Sequence, residues 1–110
     1  MEIASGLIKL KAGSDSKIEE WRKTMTDRID EALATLTHEG IEVESWFQVK
    51  LEGQDYLLWY MRGESIAKAF EVAQTFKHPI DKYHFELMES VTVPNGVTLA
   101  KPLFDPKIAL

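Results

Sequence analysis

The 110 residues include no cysteine. That removes disulfides, thiolate metal sites and a cysteine nucleophile. It suits a reducing cytosol, so a cytoplasmic location is expected. The four prolines and six glycines are scattered. Gly53, Gly63 and Gly96 stand singly at turns, so there is no glycine-rich phosphate loop. No serine sits in a nucleophile-elbow pattern. Basic residues do not cluster, and with a formal net charge of -5 nucleic acid is not expected as a partner. No apolar run approaches the roughly 20 residues of a membrane span. The start, Met1-Glu2-Ile3-Ala4-Ser5-Gly6, has neither the basic region nor the apolar core of a signal peptide. Repeats, low-complexity segments and linkers are also missing. With 45% hydrophobic and 28% charged residues, the chain reads as one globular domain over residues 1–110.

What the chain has in quantity is aromatic and β-branched residues between Glu42 and Arg62. Glu42 to Leu51 and Tyr56 to Arg62 read as the two strands of a hairpin around Glu52-Gly53-Gln54-Asp55. With Gly53 and Gln54 at the centre of the turn, Leu51 faces Tyr56, Val49 faces Leu58 and Phe47 faces Tyr60. Val43 and Arg62 extend this face. The other face carries Glu44, Trp46, Gln48 and Lys50 with Leu57, Trp59 and Met61. Both faces hold large apolar groups, whereas a half-solvated sheet alternates apolar with polar. Both faces therefore need cover.

Ile3 to Lys11 reads as a first strand, with small residues at Ala4, Ser5 and Gly6 that permit close packing. Ser16 to Glu39 reads as one long helix. Ser16 and Glu19 fit a capping box, and Ile18, Trp21, Met25, Ile29, Ala32, Leu33 and Leu36 form its apolar stripe. Glu19 and Lys23 make an i,i+4 pair, and Gly40 suits a left-handed helix end. Such a helix would run roughly 36 Å, longer than the strands beneath it. After the hairpin, Ser65 caps a second helix with Ile66, Ala69, Phe70, Ala73 and Phe76 inward. His78-Pro79 breaks it, and a new helix runs from Pro79 to about Val91, with Ile80, His84, Leu87, Met88 and Val91 on its inner face. Val93-Pro94-Asn95-Gly96 reads as a turn, and Val97 to about Phe104 as a last strand kept to an edge by Pro102. Asp105 to Leu110 is an apolar tail suited to docking on a partner subunit.

Strand, helix, hairpin, helix, strand is the βαββαβ order of an α+β, ferredoxin-like fold: a four-stranded antiparallel sheet with helices on one face. The bare face then calls for a second subunit, so a two-fold homodimer is expected. In element order, length and hairpin the whole chain resembles the dimeric α/β-barrel superfamily. Within it, Trp46-Phe47-Gln48 and His78-Pro79-Ile80-Asp81-Lys82-Tyr83-His84 look similar to small bacterial proteins of unknown function. The superfamily includes cofactor-independent monooxygenases, haem-degrading enzymes and proteins like muconolactone isomerase and chlorite dismutase. The resemblance therefore implies an architecture rather than a chemistry.

Two constellations are candidates for a site. In the first, Asp81 and His84 lie one helical turn apart, where a carboxylate can fix an imidazole tautomer and raise its basicity. His84 with Asp81, or His78, would then act as acid/base. His78 could complete a metal site, but the spacing matches no established metal motif, and nothing around either histidine singles out haem. No cofactor and no metal is expected. The bland alternative is Asp81 at a helix N-terminus and His84 as a satisfied core histidine. In the second, Glu44, Trp46, Gln48, Trp59 and Arg62 could line a ligand pocket, although the hairpin register sets Arg62 on the opposite face. The alternative is that the tryptophans anchor a dimer interface. Two functions follow from these readings. One is a small enzyme acting on an organic molecule by cofactor-independent acid/base chemistry. The other is a non-enzymatic dimeric binding module.

Overall fold

A computed structural model of the chain describes residues 1–75 and 78–110. Four strands form one antiparallel sheet in the order β2-β3-β1-β4. They are β1 (Glu2–Leu10), β2 (Ile41–Leu51), β3 (Gln54–Gly63) and β4 (Thr92–Leu99). Among the described residues four helices accompany the sheet: α1 (Asp15–Asp27), α2 (Ile29–Glu39), α3 (Ile66–Thr75) and α4 (Pro79–Val91). This is the ferredoxin-like arrangement expected, with each crossover helix split in two. Among the described residues, no helix is long and apolar enough to cross a membrane.

The expected single helix over residues 16–39 is interrupted at Arg28, whose backbone (φ -109°, ψ 34°) leaves the helical region. Just before the break, the Thr26 hydroxyl donates to the Arg22 carbonyl at 2.7 Å, a back-bond that bends helices. Arg28 then forms a forked pair with Glu31 at 2.5 and 2.8 Å, fastening the start of α2. The break removes the overrun that one straight helix would have had. The capping box is also displaced. Ser14, not Ser16, is the N-cap of α1, and its hydroxyl donates to the Lys11 carbonyl at 2.7 Å. Glu19 is taken by Arg22 rather than Lys23. Gly40 does end α2 in the left-handed region, at φ 74°. Ser65 caps α3 by accepting from the Lys68 amide at 3.2 Å. Phe76, assigned to the inner face of the second helix, lies outside the described residues.

The hairpin register differs from the expected one by two residues. Glu52 and Gly53, both with positive φ, make the turn, so Leu51 pairs with Gln54, Val49 with Tyr56 and Phe47 with Leu58. Positive φ at both central residues matches the right-handed strand twist, so the two-residue turn is centred on Glu52-Gly53 rather than one residue later on Gly53-Gln54. A shift of two residues leaves every side chain on its expected face. Residues 93–96 are a bulge inside β4 rather than a turn before it. Leu10 pairs with Thr92 and Ile8 with Val97, and Asn95 has φ 57°. Beyond Leu99 the chain leaves the sheet, so the expected strand to Phe104 is not formed.

Ile8, Leu10, Leu57 and Trp59 from the sheet pack with Ile18, Trp21, Met88 and Val91 from the helices, making one core on one face. The opposite face stays open. It leaves Val43, Phe47 and Leu51 each at least 40% exposed. The tail reaches this side, where Asp105 Oδ2 accepts from Arg62 at 3.1 Å, and Ile108 is buried.

Gly63 marks a close approach. A Cβ there would stand 2.7 Å from the Gly40 carbonyl and 3.2 Å from the Ile41 Cα, both backbone atoms. Gly63→Ala should therefore cost about 1–3 kcal/mol, read as a lowered urea midpoint at unchanged slope.

Candidate functional site

The helix-facing side of the sheet and the inner faces of the helices do not fully meet. Between them lies a cavity of about 440 Å³. One wall is built by the hairpin. Trp46 stands opposite Trp59, and Glu44 opposite Met61. Trp59 sits so close over Gly6 that a Cβ there would lie 2.9 Å from the ring, which is what the small residues of β1 permit. Trp21 and Met25 of α1 close one side, and Ala69, Phe70 and Ala73 of α3 another. The mouth passes Ile29, Phe70, Phe85, Val97 and Leu99, which line the cavity and stay 46–72% exposed.

Into this apolar enclosure five polar side chains project: Thr35 and Glu39 of α2, Glu44 of β2, and Asp81 and His84 of α4. Burial pushes the Glu39 carboxyl up to about 7, and the nearby Asp81 and Glu44 charges add to the rise. Burial raises Glu44 too, partly offset by the Trp46 indole, with Asp81 adding to the increase. Asp81 is raised by burial, which outweighs the lowering effects of Thr35, His78 and His38. One of its oxygens, Oδ2, is buried with no hydrogen-bond partner among the described residues. The same burial pushes His84 down to about 4, so its ring is neutral at physiological pH. Three carboxyl groups from three elements thus share a poorly solvated space, and Glu39 gains and loses its proton near neutrality. Among the described residues no group of His, Asp and Glu is placed to hold a metal ion.

Five of the residues singled out from the sequence line this cavity together: His84, Asp81, Glu44, Trp46 and Trp59. Three do not. His78 is the N-cap of α4, where its Nδ1 accepts from the Ile80 amide at 3.1 Å. Gln48 shares the face of Trp46 but lies exposed toward the hairpin tip, lining a shallow outer groove with Lys50 and Asp55. Arg62 is on the open face, bonded to Asp105 and Tyr60. The proposed Asp81–His84 pair is also corrected. His84 Nδ1 accepts instead from the Trp21 indole at 3.0 Å, so Trp21 is more than a core residue. Glu39 and Thr35 went unnoticed in the sequence. Their signal was position: Ala32, Thr35, Leu36 and Glu39 continue the apolar stripe of α2, and a carboxylate at such a place is out of pattern.

Residues 1–107 match the model of a family of unknown function, DUF6176. The chain belongs to that family. No curated protein matches it. Among solved structures it is similar to the crystal structure of an L-rhamnose mutarotase from Formosa agariphila. The likeness has a TM-score of 0.60 at 13% identity and covers 97% of this chain and 100% of that one. At that identity the likeness is one of fold.

Proposed function

We propose that this DUF6176 protein is a cofactor-independent acid/base enzyme, catalysing reversible proton transfer on a small organic molecule enclosed in the cavity. The observation that carries this reading is the convergence of Glu39, Glu44 and Asp81, with Thr35 and His84, on a cavity whose remaining walls are apolar. Partly desolvating three carboxyl groups together costs stability, and a purely structural role gives nothing back for it. A group titrating near 7 is suited to both halves of a proton transfer. Interconversion of aldose anomers, the activity named for the Formosa structure, is the simplest chemistry of this type. A carboxylate takes the proton of the anomeric hydroxyl, a carboxylic acid protonates the ring oxygen as its bond to the anomeric carbon breaks, and reclosure returns both protons. Nothing is oxidised and no co-reactant is consumed.

The test is magnetisation-transfer NMR between the anomers of free aldoses, beginning with L-rhamnose. At least one aldose is expected to exchange faster with the protein than in buffer alone. If none in the panel does, the sugar reading fails.

A homodimer is part of the proposal. The open sheet face displays Val43, Phe47 and Leu51, and Leu103 and Phe104 of the tail are 81% and 82% exposed. A second copy of the chain would cover such a surface. The alternative of a non-catalytic dimeric module rests on this face alone and leaves the carboxyl cluster without a purpose.

A further inference from the structure

The hydrogen bond between α1 and α4 decides more than the position of a ring. An indole N–H can donate but not accept. His84 Nδ1, 3.0 Å from Trp21 Nε1, is therefore the unprotonated nitrogen, and the proton of the neutral imidazole resides on Nε2. The ring is fixed laterally by Trp46 and Phe85, with centroids at 5.3 and 5.4 Å. Among the described residues the His84 side chain makes its one hydrogen bond through Nδ1, and it lines the cavity, so Nε2–H is left to the cavity.

We propose that Trp21 is a positioning residue that locks His84 as a neutral Nε2–H donor, and that this donor selects substrates presenting a carbonyl or hemiacetal ring oxygen beside a removable proton. The inference rests on the acid/base reading above and assigns its substrate class. His84 cannot serve as the general base through Nδ1, whose lone pair Trp21 occupies. Nor does it give up the Nε2 proton, which would leave an imidazolate. It holds the substrate oxygen by a hydrogen bond while the carboxyl groups move protons. With a carbonyl compound, a carboxylate takes the proton from the α-carbon and the C–H pair becomes the new C=C bond. The carbonyl π pair moves to the oxygen, which a carboxylic acid of the cluster protonates. Reversal restores the carbonyl. A neutral imidazole opposite a carboxylate base is an arrangement that polarises carbonyls.

Long-range nitrogen–proton correlation NMR on the nitrogen-15-labelled protein tests this directly. The expected result is a pyridine-type Nδ1 and a pyrrole-type Nε2 for His84, unchanged between about pH 5 and 8. In Trp21→Phe the two tautomers should mix, a signature that loss of packing alone would not produce. A proton on Nδ1 in the unaltered protein, or an imidazolium at about pH 6, overturns the proposal. Anomer exchange of L-rhamnose adds a second arm. His84→Gln keeps a side-chain N–H and should retain part of the rate, whereas His84→Leu should lose about a hundredfold or more. An active protein whose His84→Leu variant matches it sinks this inference and leaves the acid/base reading standing. A protein inert toward every aldose sinks the sugar reading, and the tautomer alone then decides.

Discussion

Glu39→Gln is expected to abolish most of the activity and at the same time make the protein more stable above about pH 7. The two effects have one cause. The folded protein holds the Glu39 proton up to about 7, against 4.5 for an unburied glutamate. Between those values the folded state binds more protons than the unfolded one, so stability falls as pH rises through the window. Below it the carboxyl is neutral in both states, and glutamine gains nothing. Above it the folded protein carries a half-buried carboxylate beside Glu44 and Asp81, and removing that charge is stabilising. After allowing for the solvent that reaches a half-buried carboxyl, the gain is about 1–2 kcal/mol at pH 8. Urea denaturation of both proteins at about pH 3.5 and about pH 8 should show curves that coincide at the lower pH and separate at the higher. Loss of a positioned acid/base group typically lowers turnover by about 10²–10⁴-fold. A variant less stable at pH 8 than the parent would mean that Glu39 is held by favourable contacts, and its place in the acid/base cluster would be lost. Gains in stability on deleting a functional group are the general pattern at sites that carry strain or uncompensated charge.

The fold was largely legible because its signals were periodic. The two-residue alternation in Glu42 to Arg62 puts Trp46, Trp59 and Glu44 on one face, and it does so even though the cross-strand pairing is shifted by two residues. A pairing shift of one residue would instead have moved Trp59 to the open face and the cavity wall with it. The split at Arg28 was not legible, because every residue across it is an acceptable helix former. The break lies in backbone angles and in the Thr26 back-bond. Residues 93–96 read as a turn in the sequence because Pro94-Asn95-Gly96 is turn chemistry wherever it occurs, yet they form a bulge. The site was half legible. His84 and Asp81 were drawn together by spacing along α4, and both do line the cavity. The partner of His84 is Trp21, 63 positions away in sequence, and no local pattern reports such a contact. Glu39 was hidden because a charged residue in the last turn of a helix ordinarily reads as solvent-facing. Here α2 ends against the hairpin, and the carboxyl turns inward.

Phe47→Glu is expected to convert the proposed dimer into a monomer. Phe47 is 53% exposed on the open face, paired with Leu58, which in turn lies beside Leu7. In an isologous pairing of two such faces, a charge introduced once appears twice and must be desolvated on both copies. Association should weaken at least about a hundredfold, since desolvated like charges across an interface cost several kcal/mol. Because Phe47 lies outside the core, the variant should keep its circular dichroism spectrum. Gln48→Glu is the matched control. It adds the same charge one residue along the same strand, but on the helix-facing side and exposed, so it should leave association unchanged. Sedimentation velocity at micromolar concentration reads both. A monomeric parent protein, or a Phe47→Glu variant that still dimerises, would show that the open face is not the self-association surface. The cavity arguments do not depend on that result, because every polar group they use comes from one copy of the chain. The proposed dimer would instead cover what a single chain leaves exposed. An apolar sheet face carrying Val43, Phe47 and Leu51 is a liability in water, and a second copy would cover it on both chains at once.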